Sequence, residues 1–175
     1  MADAKKVVFV VANEGYQPVE YAVPKKLLEQ AGITVLTASD ASAPAIAKDG
    51  STTPVELLVQ NIPVNDIDGL FIVGGPGAMD HLNTTAMHKI IKEAQEQKIA
   101  LGAICVSPRI LAEAGALRDK QATGWNGDNE LHGIFKKYGV HYKAQDVVRD
   151  ENMLTATGPD AAREYGEQII SMIQE

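Results

Sequence analysis

The feature that most constrains the fold of this chain is a change of hydrophobic periodicity at its single cysteine. Residues 99–104, I-A-L-G-A-I, are apolar without a break, which is typical of a strand buried on both faces of a sheet. After Cys105, the only cysteine of the chain, apolar residues recur at helical spacing as far as Gly115, which is placed to end a helix. Cys105 is therefore predicted to sit on a sharp turn between a strand and a helix.

A thiol at such a turn has two interpretations. The turn would point the side chain into the crevice at the carboxyl ends of the strands, where free amide N–H groups and the positive end of the helix dipole favour a negative charge. We therefore expect Cys105 to ionise more readily than a free cysteine and to act as the nucleophile of a nucleophile elbow. The alternative is a small buried hydrophobic residue, and the turn alone does not decide between the two.

The rest of the chain alternates strand and helix patterns. Apolar runs predict core strands at residues 6–12, 33–39 and 68–73, and an amphipathic helix is expected at 84–97. Alternation of this kind favours an α/β fold, a three-layer sandwich with a mostly parallel sheet and one domain spanning residues 1–175. Further elements are predicted as a small hairpin or edge excursion within 45–59, strands at 121–124, 140–149 and 152–157, and a final helix at 160–173.

Two carboxyl groups lie just after the first predicted strand. Residues 13–18 are expected to form a loop, and the next helix buries a stripe that includes Val19, with Pro24 tolerable only near its first turn. Glu14 and Glu20 would both lie near the crevice, where burial raises a carboxyl pKa and suits it to general acid/base work. A solvated glutamate favoured by the helix dipole fits the same spacing.

A glycine-rich stretch follows the strand predicted at 68–73. The backbone of Gly74-Gly75-Pro76-Gly77 could approach the crevice, and its amides could join that of the residue after the cysteine in an oxyanion hole. The alternative is a tight turn with no further role. Asp80-His81 comes next, and His81 is the histidine best placed to serve as a base. No His/Cys cluster has the spacing of a metal site, so no metal is expected.

Composition limits the binding partners and the cellular compartment to be expected for this chain. The net charge is −7, with acidic residues spread along the chain, which disfavours nucleic acid and anionic membranes as partners. A single cysteine fits a reducing cytosol. The N-terminal apolar run is too short for a signal peptide, and no segment is long enough to cross a membrane, so a cytoplasmic location is expected.

Four segments together resemble the ThiJ/PfpI superfamily, which includes the Parkinson-disease deglycase, PfpI-type proteins and glyoxalases that need no glutathione. The resemblance extends over essentially the whole chain. It implies a flavodoxin-like fold and a homodimer or higher homo-oligomer. The segments are A-N-E-G-Y-Q-P-V-E at 12–20, V-G-G-P-G at 73–77, A-I-C-V-S-P-R-I-L-A-E-A-G at 103–115 and L-T-A-T-G-P at 154–159.

The resemblance also implies a role for individual residues. Cys105 corresponds to the nucleophile, and Glu20 corresponds to the buried carboxyl that hydrogen-bonds it. Gly75 and Val106 would supply the N–H groups of the oxyanion hole. Other residues expected near the pocket are Glu14, Tyr16, Gly74, Asp80, His81 and Trp125.

The chain departs from its relatives at the position of a histidine. Many relatives place His directly after the cysteine, where this chain has Val106, and deglycase-type members carry one after the next strand, where Trp125 stands. A Cys–His–acid triad is therefore incomplete, and peptidase activity is less expected. The favoured hypothesis is a cysteine-dependent, cofactor-free glyoxalase or deglycase acting on small reactive carbonyls such as methylglyoxal. The alternatives are a redox-sensing stress-response protein with a reversibly oxidised cysteine, and a PfpI-like hydrolase or peptidase.

Overall fold

The fold is built on one mainly parallel sheet flanked by helices on both faces. A computed structural model describes residues 3–175. The strands are β1 (Lys6–Val11), β2 (Glu14–Tyr16), β3 (Thr34–Ser39), β4 (Ala45–Ala47), β5 (Thr52–Thr53), β6 (Leu57–Leu58), β7 (Gly69–Ile72), β8 (Ala100–Ile104), β9 (Gln121–Ala122), β10 (His141–Tyr142), β11 (Val147–Asp150) and β12 (Met153–Ala156). The helices are α1 (Pro18–Gln30), α2 (Ala78–Leu82), α3 (Thr85–Glu96), α4 (Pro108–Glu113), α5 (Leu131–Lys137) and α6 (Ala162–Gln174).

The order of the strands places a crevice at one edge of the sheet. Within residues 3–175, seven strands pair in the order β11-β12-β8-β7-β1-β3-β6, and only β11 runs antiparallel to its neighbour. The inner strands β3-β1-β7-β8-β12 follow the flavodoxin-like pattern, in which the chain reverses direction across the sheet beside the first strand. The carboxyl ends of β1, β7 and β8 meet at that point, so the segments that follow them share one crevice. The predicted α/β sandwich is confirmed.

Two hydrophobic clusters, one on each face of the sheet, hold the layers together. Met87 and Ile91 of α3 and Phe135 of α5 belong to the first cluster. Leu28 of α1 and Ile169 of α6 belong to the second. The core strands between them are buried along most of their length, as expected of a parallel sheet covered on both sides. Among residues 3–175, none of the helices has the length and apolarity needed to cross a bilayer.

The start of α1 differs from the prediction. The segment expected to be a loop contains β2, which pairs with β4 in a small separate sheet, and α1 begins at Pro18. Pro24 lies inside the helix rather than near its first turn, and α6 packs closely against it because Gly166 has no side chain. Val19 is 42% exposed, whereas Glu20 is fully buried. The stripe that faces the core therefore contains the carboxyl group and excludes Val19.

Two other predictions are corrected in detail. The strand expected over residues 140–149 is divided into β10 and β11, because β10 pairs with β9 outside the main sheet. The excursion at residues 45–59 is divided between two sheets: β4 and β5 form an antiparallel hairpin, and β6 extends the edge of the main sheet. The pairing of these short strands depends on tertiary contacts, and strands this short show little hydrophobic periodicity in the sequence.

Candidate active site

Cys105 occupies the corner between β8 and α4, as its sequence context predicts. Its backbone has φ 65°, a left-handed conformation that is costly for a residue with a side chain. Its N–H donates to Ala156 O at 2.9 Å, and its carbonyl accepts from Trp125 N at 2.7 Å. The partners of these two hydrogen bonds lie in different segments of the chain, and together they hold the backbone at Cys105 in its left-handed conformation.

The Glu20 carboxyl is buried beside the thiol. Oε1 accepts a hydrogen bond from Gly74 N at 3.1 Å, and Oε2 has no hydrogen-bond partner within the described residues. A Cβ placed on Gly74 would lie 2.5 Å from Cys105 Cβ and 2.7 Å from Glu20 Oε1, so the absence of a side chain there lets both groups approach the same backbone. Burial raises the pKa of Glu20 to about 7, against smaller opposing effects from the thiol, the Gly74 amide and the charge of Lys48.

The thiol does not ionise as easily as its local sequence predicts. Burial and the nearby negative charge of Glu20 raise the pKa of Cys105 to about 12. The backbone N–H groups of Gly75 and Val106 point toward the sulfur and act in the opposite direction, but their effect is smaller. The expectation of a readily ionised thiol is therefore wrong, because it counted the amides at the corner and omitted burial and the adjacent carboxylate.

The glycine loop after β7 is held against the segment that contains β2. Gln17 N donates to Gly74 O at 2.9 Å, and Gly77 N donates to Gly15 O at 3.0 Å. Gly75 has φ +116°, and a Cβ there would lie 2.5 Å from Gln17 N. The glycines are thus required for close backbone packing, and the same packing directs the Gly75 amide at the thiol.

A cavity of about 540 Å³ opens over Cys105. Trp125 forms part of its wall and is 41% exposed, with the Arg109 guanidinium 5.5 Å from its ring centre. Arg109 also donates to both oxygens of Asp128, at 3.0 and 2.8 Å, and to Trp125 O at 3.1 Å. The lining consists of Gln17, Lys48, Gly75, Pro76, Met79, Cys105, Val106, Arg109, Trp125, Asp128 and Pro159.

Several residues expected near the pocket lie elsewhere. Glu14 and Asp80 are exposed and do not line the cavity. Tyr16 is buried, with its ring edge-on to Tyr21. His81 Nδ1 lies 2.7 Å from an Asp40 carboxylate oxygen. The proposed base is thus paired with an acid at the end of β3, and no histidine of residues 3–175 lines the cavity.

The cavity also contains residues that the sequence analysis missed. Lys48 follows β4, in the stretch whose pairing the hydrophobic pattern leaves undefined. Arg109 lies in the first turn of α4, only four residues after Cys105, and this closeness in the sequence is the signal that could have identified it. Asp128 gives no local signal, because the loop that carries it is ordered through Arg109. Across residues 3–175, no cluster of three His, Cys, Asp or Glu side chains is arranged to hold a metal ion.

Known proteins of similar sequence and structure identify the family. The sequence profile of the DJ-1/PfpI family matches residues 5–172. The uncharacterized protein MJ0967 of Methanocaldococcus jannaschii is 31% identical over 171 residues, which cover 97% of this chain and 83% of that protein. The uncharacterized protein SAV1875 of Staphylococcus aureus is 29% identical over 175 residues, covering 97% of this chain and 99% of the relative.

Solved structures share the fold at lower sequence identity. A ThiJ/PfpI domain protein from Brachyspira murdochii superposes with a TM-score of 0.92 at 21% identity, covering 99% of this chain and 98% of the other. Drosophila melanogaster DJ-1beta superposes with a TM-score of 0.85 at 19% identity, covering 99% of this chain and 92% of the other. The family profile spans nearly the whole chain, and MJ0967, at 31% identity, matches 97% of this chain. The chain therefore belongs to the DJ-1/PfpI family.

Proposed function

We propose that this protein converts small 2-oxoaldehydes, such as methylglyoxal, to 2-hydroxy acids without a metal or organic cofactor. The observation that carries the proposal is a buried carboxyl with a pKa of about 7 beside a thiol that lines a cavity. A carboxyl of that pKa is half ionised at neutral pH, so it can both accept and return a proton. Family membership is consistent with an enzyme and leaves the reaction open.

The first step uses Glu20 as a general base. Because the pKa of the Cys105 thiol is raised, little thiolate is present at neutral pH, and the thiol must lose its proton as it reacts. Sulfur adds to the aldehyde carbon, and the Glu20 carboxylate takes the thiol proton. The carbonyl oxygen becomes an alkoxide near the Gly75 and Val106 amides and then takes that proton from Glu20. The product is a hemithioacetal, and the carboxylate is restored.

The second step moves hydrogen between two carbons without an external oxidant. Glu20 removes the proton from the carbon bonded to sulfur, which produces an enediolate stabilised by backbone amides. The carboxyl then returns a proton to the neighbouring carbon. One carbon is thereby oxidised to a thioester and the other is reduced to an alcohol. Water cleaves the carbon–sulfur bond, releasing the 2-hydroxy acid and the free Cys105 thiol.

The alternative functions fit the site less well. Peroxide oxidises the thiolate, and a raised thiol pKa reduces the thiolate fraction that a redox sensor needs. A cysteine peptidase needs a histidine partner, and His81 is paired with Asp40 instead of facing the cavity. A thiol and one carboxyl are sufficient for the 2-oxoaldehyde reaction.

The test is formation of lactate from methylglyoxal by the purified protein, with chelator present and glutathione absent. Cys105→Ala should abolish turnover, and Glu20→Gln should lower kcat by about a hundredfold or more, the scale of general acid/base catalysis. Glu14→Gln is the matched control, because it makes the same chemical change on an exposed residue six positions away in the sequence. Lactate formation that survives in Cys105→Ala, or equal losses in the two glutamate variants, would contradict the proposal.

A further inference from the structure

The cavity over Cys105 has one positive charge without a partner. Lys48 is exposed at the cavity and its backbone is fixed by a hydrogen bond from its N–H to Tyr16 O at 2.9 Å. Within residues 3–175, its ammonium group takes part in no ion pair. The neighbouring Asp49 carboxylate accepts the backbone N–H and the hydroxyl of Ser51 at Oδ1 and forms no ion pair with Lys48. A ligand anion could therefore contact the Lys48 ammonium without displacing an ion pair.

The second cation of the lining is already neutralised. Arg109 forms a bidentate pair with Asp128, and its side chain is only 8% exposed. Its Nε is buried and has no hydrogen-bond partner within the described residues. Asp128 is the one acid among the lining residues, so the wall as a whole carries one uncompensated positive charge, together with an unused donor on Arg109.

The thiol and Lys48, which both line the cavity, favour different kinds of group. At the base, the Glu20 carboxyl beside the thiol would repel an anion when ionised and favours a neutral carbonyl. Apart from Lys48 and the Arg109–Asp128 ion pair, the lining is uncharged, with apolar surface from Met79, Trp125 and Pro159. Toward Lys48, an anion gains a charge-assisted contact. A ligand with an aldehyde at one end and a carboxylate at the other could contact both groups at once.

We propose that the cavity selects short carbonyl compounds that also carry a carboxylate, which binds Lys48 while the aldehyde faces Cys105. A carboxylate is the anion of choice because the wall offers a single free positive charge, which matches one negative charge. The substrate class rests on the function proposed above, namely 2-oxoaldehyde turnover. The recognition of an anion at Lys48 does not require that function.

The first test measures anion recognition without turnover. Iodoacetate and iodoacetamide alkylate Cys105 by the same displacement: a carbon–sulfur bond forms, iodide leaves, and the thiol proton passes to base. The two reagents are similar in size and differ in charge. The rate constant for iodoacetate divided by that for iodoacetamide should fall by roughly threefold to fivefold in Lys48→Met, which is the effect of losing one exposed ion pair. Lys48→Arg should retain the ratio, and added salt should lower it in the wild type.

Lys92→Met is the matched control, because it removes the same charge from an exposed residue of α3 outside the cavity lining. Its ratio should equal that of the wild type. Equal ratios in Lys48→Met and the wild type, or equal decreases in both lysine variants, would overturn the proposal. Mass spectrometry of the labelled peptide confirms that the reagent has reacted at Cys105.

The second test compares two substrates with the same dicarbonyl group. 4,5-Dioxopentanoate carries a carboxylate, and its methyl ester does not. The kcat/KM ratio of acid to ester should fall by roughly threefold to fivefold in Lys48→Met and remain unchanged in Lys92→Met. An unchanged ratio in Lys48→Met would refute the inference. If methylglyoxal is consumed and neither of these compounds is, the substrate class is wrong and the proposed function stands. If methylglyoxal is not consumed either, the proposed function is wrong as well, and the alkylation ratios decide the anion site separately.

Discussion

Replacing Glu20 by glutamine tests whether one buried carboxyl controls how the stability of this protein depends on pH. The pKa of Glu20 is about 7 in the folded protein, against an ordinary value of 4.5. Each unit of difference corresponds to about 1.36 kcal/mol, so ionisation of Glu20 should reduce the free energy of unfolding by about 3 kcal/mol. The cost is large because the carboxyl is fully buried and one of its oxygens has no partner within the described residues.

The direction of the effect follows from proton binding. The folded protein holds the Glu20 proton more tightly than the unfolded chain does. The resulting stabilisation is fully present below pH 4.5 and is lost as the pH rises to about 7. Glutamine has no proton to lose over this range, so Glu20→Gln should not show this decline.

Urea unfolding at several pH values measures the effect. The free energy of unfolding of the wild type minus that of Glu20→Gln should fall by about 3 kcal/mol between pH 4.5 and about pH 8. Taking the difference between the two proteins cancels groups that titrate alike in both. Glu14→Gln, which changes an exposed residue, should follow the wild-type profile. Parallel profiles for the wild type and Glu20→Gln would refute the reasoning, because they would show that folding does not perturb the carboxyl.

Three further perturbations test the surroundings of the site. Gly74→Ala should destabilise the protein by about 1–3 kcal/mol in urea unfolding, because its Cβ would lie 2.5 Å from the Cys105 Cβ. Gly133→Ala should instead stabilise it by about 0.5–1 kcal/mol, because Gly133 lies on the exposed face of α5 and its Cβ would meet nothing within 4 Å. Arg109→Met should lower the free energy of unfolding by about 2 kcal/mol, since the loop that contains Asp128 loses its bidentate ion pair. The same change should shift the fluorescence emission of Trp125, the single tryptophan. An unchanged emission spectrum would contradict the role of Arg109 in ordering this loop. Burial is the largest single effect on the pKa of Asp40 and raises it, but the contacts with His81 and the hydrogen bond from the Asn13 N–H together outweigh burial and lower the pKa overall. Asp40→Asn should therefore cost up to about 1 kcal/mol at neutral pH, a difference that disappears as the wild type is acidified through the lowered pKa. Constant destabilisation across the acid range would exclude this contribution.

The features that could be predicted from the sequence are those encoded over a few neighbouring residues. The corner at Cys105 follows from a change of hydrophobic period on either side of it, and the parallel sheet follows from uninterrupted apolar runs. The burial of Glu20 was also accessible in part, since Glu20, Pro24 and Leu28 are four residues apart and share one face of α1. A charged residue at a helix start is nevertheless more often solvated, so this spacing alone could not establish that Glu20 is buried.

The rest of the site depends on contacts between distant segments. The pKa of Cys105 is set by burial and by a carboxyl that lies 85 positions earlier in the chain, so reasoning from the adjacent amides predicted the wrong direction. Lys48 enters the cavity through the pairing of two short strands, β2 and β4, whose register leaves no clear pattern. Asp128 is positioned by Arg109 across a loop. Such placements become visible only when the register of the sheet is known.

The position of β12 has a consequence for the newly made chain. β12 pairs directly with β8, and its last residue accepts the hydrogen bond from the Cys105 N–H, although two helices, α4 and α5, and three strands, β9, β10 and β11, lie between them in the sequence. Synthesis proceeds from the N-terminus, so the cysteine leaves the ribosome long before the strand that completes its corner. Until β12 arrives, the left-handed backbone at Cys105 lacks one of the two hydrogen bonds that hold it. The reactive geometry is therefore acquired late, and fragments that end before β12 carry the cysteine without an assembled site.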